Sequence, residues 1–342
     1  MAINGVVHSP NACRLGIAEE ATFGTAIAQD AAFIEWIEWD SVSVDYGLTQ
    51  EVPLRHRTRR LVDSADTYVS QSGGTRTITV SGLVVRRKDL QYLLYGVCQE
   101  VQSESATTPY QKVYGIDWTA QPDFSASAGL FFTLALRSQV DAYHETFTSC
   151  VIKSVKLSYD GVGGDGRIKA DIEFISGFTA VTTHTYSGTW TIPTQVYVDG
   201  HNFATKSINS ADAVIYGWDL NINNNAVRVG NDTTGQCQTY SIGVGGNGME
   251  TTLNIKTKYD ANMVGLKAKY LAGTFVPAIL TLGSSGVAGY FHIGYLSSIV
   301  TGMPFEDAEQ GQAINLSLTG TYKTGALITF AEAAADADRT WA

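Results

Sequence analysis

Stretch after stretch of this chain alternates apolar and polar residues with a period of two, and that pattern restricts it to a fold built of strands with one buried and one wet face. Val42, Val44 and Tyr46 alternate with Ser41, Ser43 and Asp45, and Ile78 and Val80 alternate with Thr75, Thr77, Thr79 and Ser81. The pattern returns over Val151–Tyr159 and Ile168–Phe174, on either side of the glycine-rich turn 161–166, which predicts a hairpin. Trp218, Leu220 and Ile222 then alternate with Asp219, Asn221 and Asn223, and Leu253 and Ile255 with Thr252, Asn254 and Lys256. Ile314, Leu316 and Leu318 complete the series against Asn315, Ser317 and Thr319. The outward faces carry hydroxyls and amides more often than charges.

Composition agrees with a surface of that kind. Charged residues are only 16% of the 342, below the roughly 25% of an ordinary soluble domain, and the net charge is −10. Gly, Ser, Thr and Asn must cover much of the exterior, together with some of the 17 tyrosines and 6 tryptophans. Low charge with many aromatics is the composition of interface cores, so the chain is expected to assemble. No apolar run reaches the roughly 18 residues of a membrane-spanning helix. Residues 1–14 lack a basic segment followed by an apolar stretch, which predicts a cytoplasmic site of synthesis and no membrane insertion. Cys13, Cys98, Cys150 and Cys237 are too widely spaced for a zinc or redox motif and are read as free thiols.

No catalytic, cofactor or metal set emerges. The histidines at 8, 56, 144, 184, 201 and 292 lack ligand spacing. The glycine-rich stretches 161–166 and 243–248 lie between strand patterns, not between a strand and a helix, and read as turns rather than phosphate loops. The strongest charge cluster is Arg55, Arg57, Arg59 and Arg60, in the long polar segment 47–73, with Arg86, Arg87 and Lys88 as a second. Contact with nucleic acid is disfavoured by the acidic total, because a tight phosphate-binding surface is normally basic. A solvated loop remains open beside pairing with carboxylates.

Element order repeats. Residues 74–85 read as a strand followed by Asp89 and a short helix ending near Gly96, and residues 248–257 as a strand followed by Asp260 and a short helix ending near Gly273. Each Asp is placed as an N-cap and each Gly as a C-terminal stop. An aromatic-led strand precedes each unit (36–46 and 216–223), and a strand pair follows it (151–176 and 293–322). This predicts a weak internal duplication. The expected layout is an N-terminal arm at 1–32, a first β domain at 33–178, a connecting segment at 179–212, a second β domain at 213–330 and a tail at 331–342. The terminal segments have no strong period and are expected to order on assembly or remain disordered.

The opening run Gly16-Ile17-Ala18-Glu19-Glu20-Ala21-Thr22-Phe23-Gly24-Thr25-Ala26 resembles the N-terminal signature of tail tube proteins of long-tailed bacteriophages. The strand at 34–46, the Gly-Thr-rich strand at 73–85, the Leu-rich helix at 89–96, the Phe-rich strand at 131–136 and the run from Tyr143 into Ile152–Asp160 are similar to that family's first domain. The likeness covers most of the chain and is weakest over 179–212 and 274–292. It implies a mainly β fold of two tandem tail-tube-like sandwich or barrel domains, each with a short α-helix, whose strands close a large β-barrel when rings assemble. It also implies a structural virion protein of the phage tail, assembled in the host cytoplasm, whose rings stack into a tube that conducts DNA. The partners implied are the chain itself, a tape measure protein, a tail terminator and distal tail or baseplate proteins, with double-stranded DNA only in passage.

A bore for duplex DNA must be wider than a porin lumen, which takes roughly two dozen strands. Four strands from each half make a trimeric, pseudo-sixfold ring the expectation and a ring of six the alternative. The expected lumen residues are Thr75, Thr77, Thr79, Ser81, Asn221, Asn223, Asn315, Ser317 and Thr319. By the same resemblance, the arginines of segment 47–73 reach a neighbouring subunit or ring. The competing class is a carbohydrate-binding β-sandwich, which the tryptophans and tyrosines could serve.

Overall fold

The structure, a computed structural model, describes residues 13–20, 24–27, 33–46, 49–51, 68–70, 76–98, 103–104, 110–115, 131–138, 144–176, 190, 192, 197–200, 203–231, 239–244, 249–283, 287, 290–308, 311–320 and 326–332. In the first part of the chain lie β1 (Cys13–Glu20), β2 (Ile34–Trp36), β3 (Ser41–Asp45), β4 (Thr49–Glu51), β5 (Tyr68–Ser70), β6 (Arg76–Val84) and helix α1 (Arg87–Cys98). Next come β7 (Ser103–Glu104), β8 (Tyr110–Gly115), β9 (Phe131–Ser138), β10 (His144–Asp160), β11 (Lys169–Ser176), β12 (Phe203–Ile208) and β13 (Ala211–Asp212). The remainder holds β14 (Ile215–Asn223), β15 (Ala226–Asn231), β16 (Thr239–Val244), β17 (Glu250–Lys258), α2 (Ala261–Ala272), β18 (Val276–Leu282), β19 (Phe291–Gly302), β20 (Phe305–Ala308), β21 (Gly311–Gly320) and β22 (Ala326–Glu332).

The strands expected from alternation form and pair antiparallel. Side by side run β3, β6, β11 and β10, and then, without a break, β14, β17, β21 and the last residues of β19. The seam between the two sets is a full ladder from Ser154↔Asn223 to Asp160↔Gly217. β10 and β19 are long enough to serve two groups of strands. Their N-terminal parts pair with β9 and with β18 and β22, and their C-terminal parts enter the long sheet. β10 bends where Ser149 adopts φ 50° and the ladder to β9 slips between Phe147 and Cys150. The ladders branch in this way but do not return on themselves among the described residues, so the described strands form an open, branched sheet.

One main apolar cluster joins the buried face of the long sheet to the helices and to the second group of strands. It includes Leu15, Ile78, Phe132, Ile172, Val155, Leu220, Leu253, Leu280, Ile293 and Leu316. The described strands on the two sides of the β10–β14 seam therefore share a core. Trp36, Trp190 and Trp218 are all buried. These three tryptophans, counted from sequence toward an interface, serve the interior instead, while Trp39 is half-buried.

Several boundaries differ from expectation. The 34–46 strand is two strands, β2 pairing with β1 and β3 with β6, so the segment between them passes from one ladder to another. Residues 13–20, assigned from sequence to an arm, form β1, which lies between β9 and β2. Gly16 sits under Phe33 and Trp190 at distances near 3.0 Å from a would-be Cβ, so both sides of β1 are covered. Within the 179–212 segment, β12 pairs with β18, and β22 carries regular pairing to residue 332. Asp260 is the N-cap of α2, accepting from the Asn262 and Met263 amides, and Gly273 ends that helix at φ 62°. In α1 the expected cap and stop fail. Asp89 lies inside the first turn, where it accepts from the Arg86 amide, and Gly96 lies inside the helix, where its missing side chain admits Ile152 and Phe132.

Candidate functional site

Residues opposite one another in a ladder point to the same side of a sheet, so the registers identify what shares a face. The wet face of the long sheet carries Ser41, Ser43 and Asp45 on β3, Thr77, Thr79 and Ser81 on β6, and Lys169, Asp171 and Glu173 on β11. It continues through Ser154, Lys156 and Ser158 on β10 and Asp219, Asn221 and Asn223 on β14. Thr252, Asn254 and Lys256 on β17 and Asn315, Ser317 and Thr319 on β21 complete it. The expected lumen residues from both halves thus lie on one surface; Thr75 falls outside the described residues.

Charge on this face is neutralised locally. Lys153 lies 2.7 Å from Glu173, Lys156 3.6 Å from Asp219, and Lys169 4.0 Å from Asp40. Lys256 lies 3.2 Å from Glu306, whose carboxylate also accepts from the Asn315 amide at 2.8 Å. The Asn315 hydrogen bond, with help from Lys256, holds Glu306 below the usual carboxylate range. Exposed pairs of this kind add at most about 1 kcal/mol of stability. What they change is chemical character, because each ammonium already has a carboxylate and offers little to a passing phosphate. A cleft of about 570 Å3 at one end of the face is bordered by Tyr216, Asp219, Asn254, Lys256, Asn315 and Ser317.

The charge runs divide. Arg55, Arg57, Arg59 and Arg60 lie outside the described residues, between the paired strands β4 and β5. Arg86 is buried: Nε donates to Asp89 Oδ2 at 2.6 Å, and Nη2 to Asp89 Oδ1 at 3.0 Å and to the Glu35 carbonyl at 2.7 Å. It holds α1 to β2 and is closed to nucleic acid.

Two polar groups that sequence reasoning missed fix the frame of this face. Glu20 is buried and accepts from the Ser149 amide, the Ser149 hydroxyl and the Thr133 hydroxyl at 2.6–2.7 Å, tying β1 to the bend in β10; burial pushes its carboxyl up despite those bonds. Asn224, fully buried, donates to the carbonyls of Val97 at 3.2 Å and Ile152 at 2.6 Å and accepts from the Ala226 amide at 3.0 Å. It links α1, β10 and the end of β14. The run Asn223-Asn224-Asn225, with Asn225 at φ 52°, was the available signal, since Asn favours such turns.

Among the described residues no group of three or more His, Cys, Asp or Glu could hold a metal, and His292 pairs with the Thr281 hydroxyl at 2.9 Å. Fold and site define a structural subunit: a wide antiparallel sheet with a polar face, on which Lys153, Lys156, Lys169 and Lys256 each lie beside a carboxylate, and a buried reverse. The family model described as phage tail tube protein matches residues 10–337, and the chain belongs to that family. It is a non-enzymatic structural protein of the virion tail that self-assembles with tail components. No curated protein matches the chain.

Proposed function

We propose that residues 33–178 and 213–330 are two copies of one tube-building unit fused in a chain, and that three chains close a pseudo-sixfold ring. The polar face of the long sheet lines the bore through which DNA passes. The observation that carries this reading is the pairing order. β3–β6–β11–β10 in the first part corresponds strand for strand to β14–β17–β21–β19 in the second. In each set a two-stranded hairpin precedes the second strand (β4–β5, β15–β16) and a twelve-residue helix follows it. The last ladder of each slips at the matching place, between Ile152 and Ser154 in one and between Val300 and Gly302 in the other.

Four strands from each unit and three chains give roughly the two dozen strands that a duplex-wide bore needs. A bore lined with hydroxyls, amides and paired lysines holds DNA by few phosphate contacts and so lets it slide. Tape measure, terminator and distal tail proteins are the partners that stacked rings of this family would meet. Mass per ring, measured by scanning transmission electron microscopy on tubes of the purified chain, tests the copy number. Three copies per layer are expected, and six would end the fused-unit reading.

A further inference from the structure

The long sheet ends at two edges. β3 pairs with β6 on one side, and β20 with β21 on one side; among the described residues no strand lies along the outer edge of either. An unpaired edge is a template for another strand. The chain contains its own example of how such edges meet, the β10–β14 seam. If β10 corresponds to β19 with β20, and β14 to β3, the seam fixes a register for the free edges.

Matched ladders give that register. Ile78 pairs with Phe174 as Leu253 pairs with Leu318. From these anchors, Leu157 opposite Ala170 corresponds to Phe305 opposite Ile314, and Leu220 opposite Leu253 to Val44 opposite Ile78. Leu157 and Leu220 face each other across the seam. From this we infer that β20 of one copy pairs antiparallel with β3 of the next, with Phe305 opposite Val44 and Glu306 opposite Ser43. The inference rests on the fused-unit reading and adds the contact by which copies join.

Burial supports it independently of the ladders. Leu157 is 0% exposed where the seam covers it, whereas its counterpart Phe305 is 54% exposed. Leu220 is buried and its counterpart Val44 is only half-buried. Val151 is buried in a cluster with Phe131, Ile175 and Ala226, the last contributed by the hairpin β15–β16 leaning across the seam. Its counterpart Ile299 is exposed. Leu157, Leu220 and Val151, buried along the internal seam, thus have counterparts in Phe305, Val44 and Ile299 that are each more exposed at the free edge, as a missing copy would leave them. By the same correspondence the hairpin β4–β5 leans onto the neighbour beside Ile299. A heterologous contact of this kind closes into a ring when its rotation allows.

The experiment uses the full chain with Cys13 and Cys237 replaced by Ser, assembled and imaged by negative stain. In that background Ser43→Cys with Glu306→Cys is compared with the shifted pairs Ser41→Cys with Glu306→Cys and Asp45→Cys with Glu306→Cys. Mild oxidation of the assembled 43/306 protein is expected to give a covalently linked trimer on non-reducing gels, at least ten-fold more than either shifted pair gives. Phe305→Ala, which within the chain gives up only an edge-on ring contact with Tyr259, is expected to lower the melting temperature of the unassembled chain slightly and to abolish rings. Rings in which 43/306 links no better than the shifted pairs, or a Phe305→Ala protein that assembles as before, overturn the edge pairing while the tail tube reading stands. Failure of the Cys-to-Ser parent to form rings or tubes overturns both. A linked ladder reaching six chains removes the trimer, and with it the fused-unit reading from which the register was drawn.

Discussion

Replacing Asn224 by Ala removes three hydrogen bonds at a fully buried position: to Val97 O at 3.2 Å, to Ile152 O at 2.6 Å and from Ala226 N at 3.0 Å. A buried polar group left without its partner costs about 1–3 kcal/mol. Three such groups would sum to about 3–9 kcal/mol if nothing relaxed, but the space vacated by the amide can admit a water that bridges some of them. The expected loss is therefore about 3–5 kcal/mol, a large share of the roughly 5–15 kcal/mol of a folded domain. Asn224→Asp tests the direction of the bonds. It keeps an acceptor for Ala226 N but replaces the one NH2 group that donates to both carbonyls with an oxygen facing them, so it should cost at least as much as Ala. Guanidinium titration of the unassembled chain, followed by tryptophan fluorescence, measures both, and Trp218, buried in β14, reports on that strand. A loss below about 1 kcal/mol for Asn224→Ala, or an Asp variant clearly more stable than the Ala variant, would refute the idea that these bonds pin α1 and β10 to the end of β14.

Asp89→Ala strands the Arg86 guanidinium in the core and should cost about 3–5 kcal/mol, while joint replacement of Arg86 by Met and Asp89 by Leu should recover most of the loss in the same titration. Gly96→Ala sets a Cβ 2.5 Å from Ile152 Cδ1 and 3.0 Å from Phe132 Cε2; overpacking outweighs the gain in helix propensity, so thermal melts should show a loss of about 1–2 kcal/mol. Glu306 has a folded pKa below its unfolded value, so its contribution is present above the unfolded value and is lost as pH falls through the folded one. The stability difference between the parent and Glu306→Gln should accordingly be seen at neutral pH and vanish in acid, as denaturation at a series of pH values would show.

How much of this was legible depended on whether a residue's neighbours are near in sequence. The alternations at 151–159, 168–174, 218–223, 252–256 and 314–319 all mark real strands, because one face of each is wet and the other buried. β1 escaped because Gly16 and Ala18 are buried along with Leu15 and Ile17, which erases the period. The break between β2 and β3 escaped because apolar spacing continues while hydrogen bonding changes partner from β1 to β6. Asp89 was recognised as a helix-start residue but not as half of a buried pair, since Arg86 looks from sequence like part of a basic run. The alternation that builds the wet face was legible strand by strand, whereas the β10–β14 seam has no local signature: its two sides lie some 60 residues apart and meet only through packing. The arginine-rich segment was noticed, but it lies outside the described residues.

The seam also bears on how fast copies can come together. Two units in separate chains must find each other by diffusion, give up translational and rotational freedom worth an estimated 4 kcal/mol or more, and sort right contacts from wrong ones. β10 and β14 are tethered by the intervening chain, so each sees the other at an effective concentration on the order of millimolar, whatever the concentration of protein in the cell. On the fused-unit proposal, a chain with that junction already made begins association as a finished arc, and dilution that would scatter separate units leaves the arc intact.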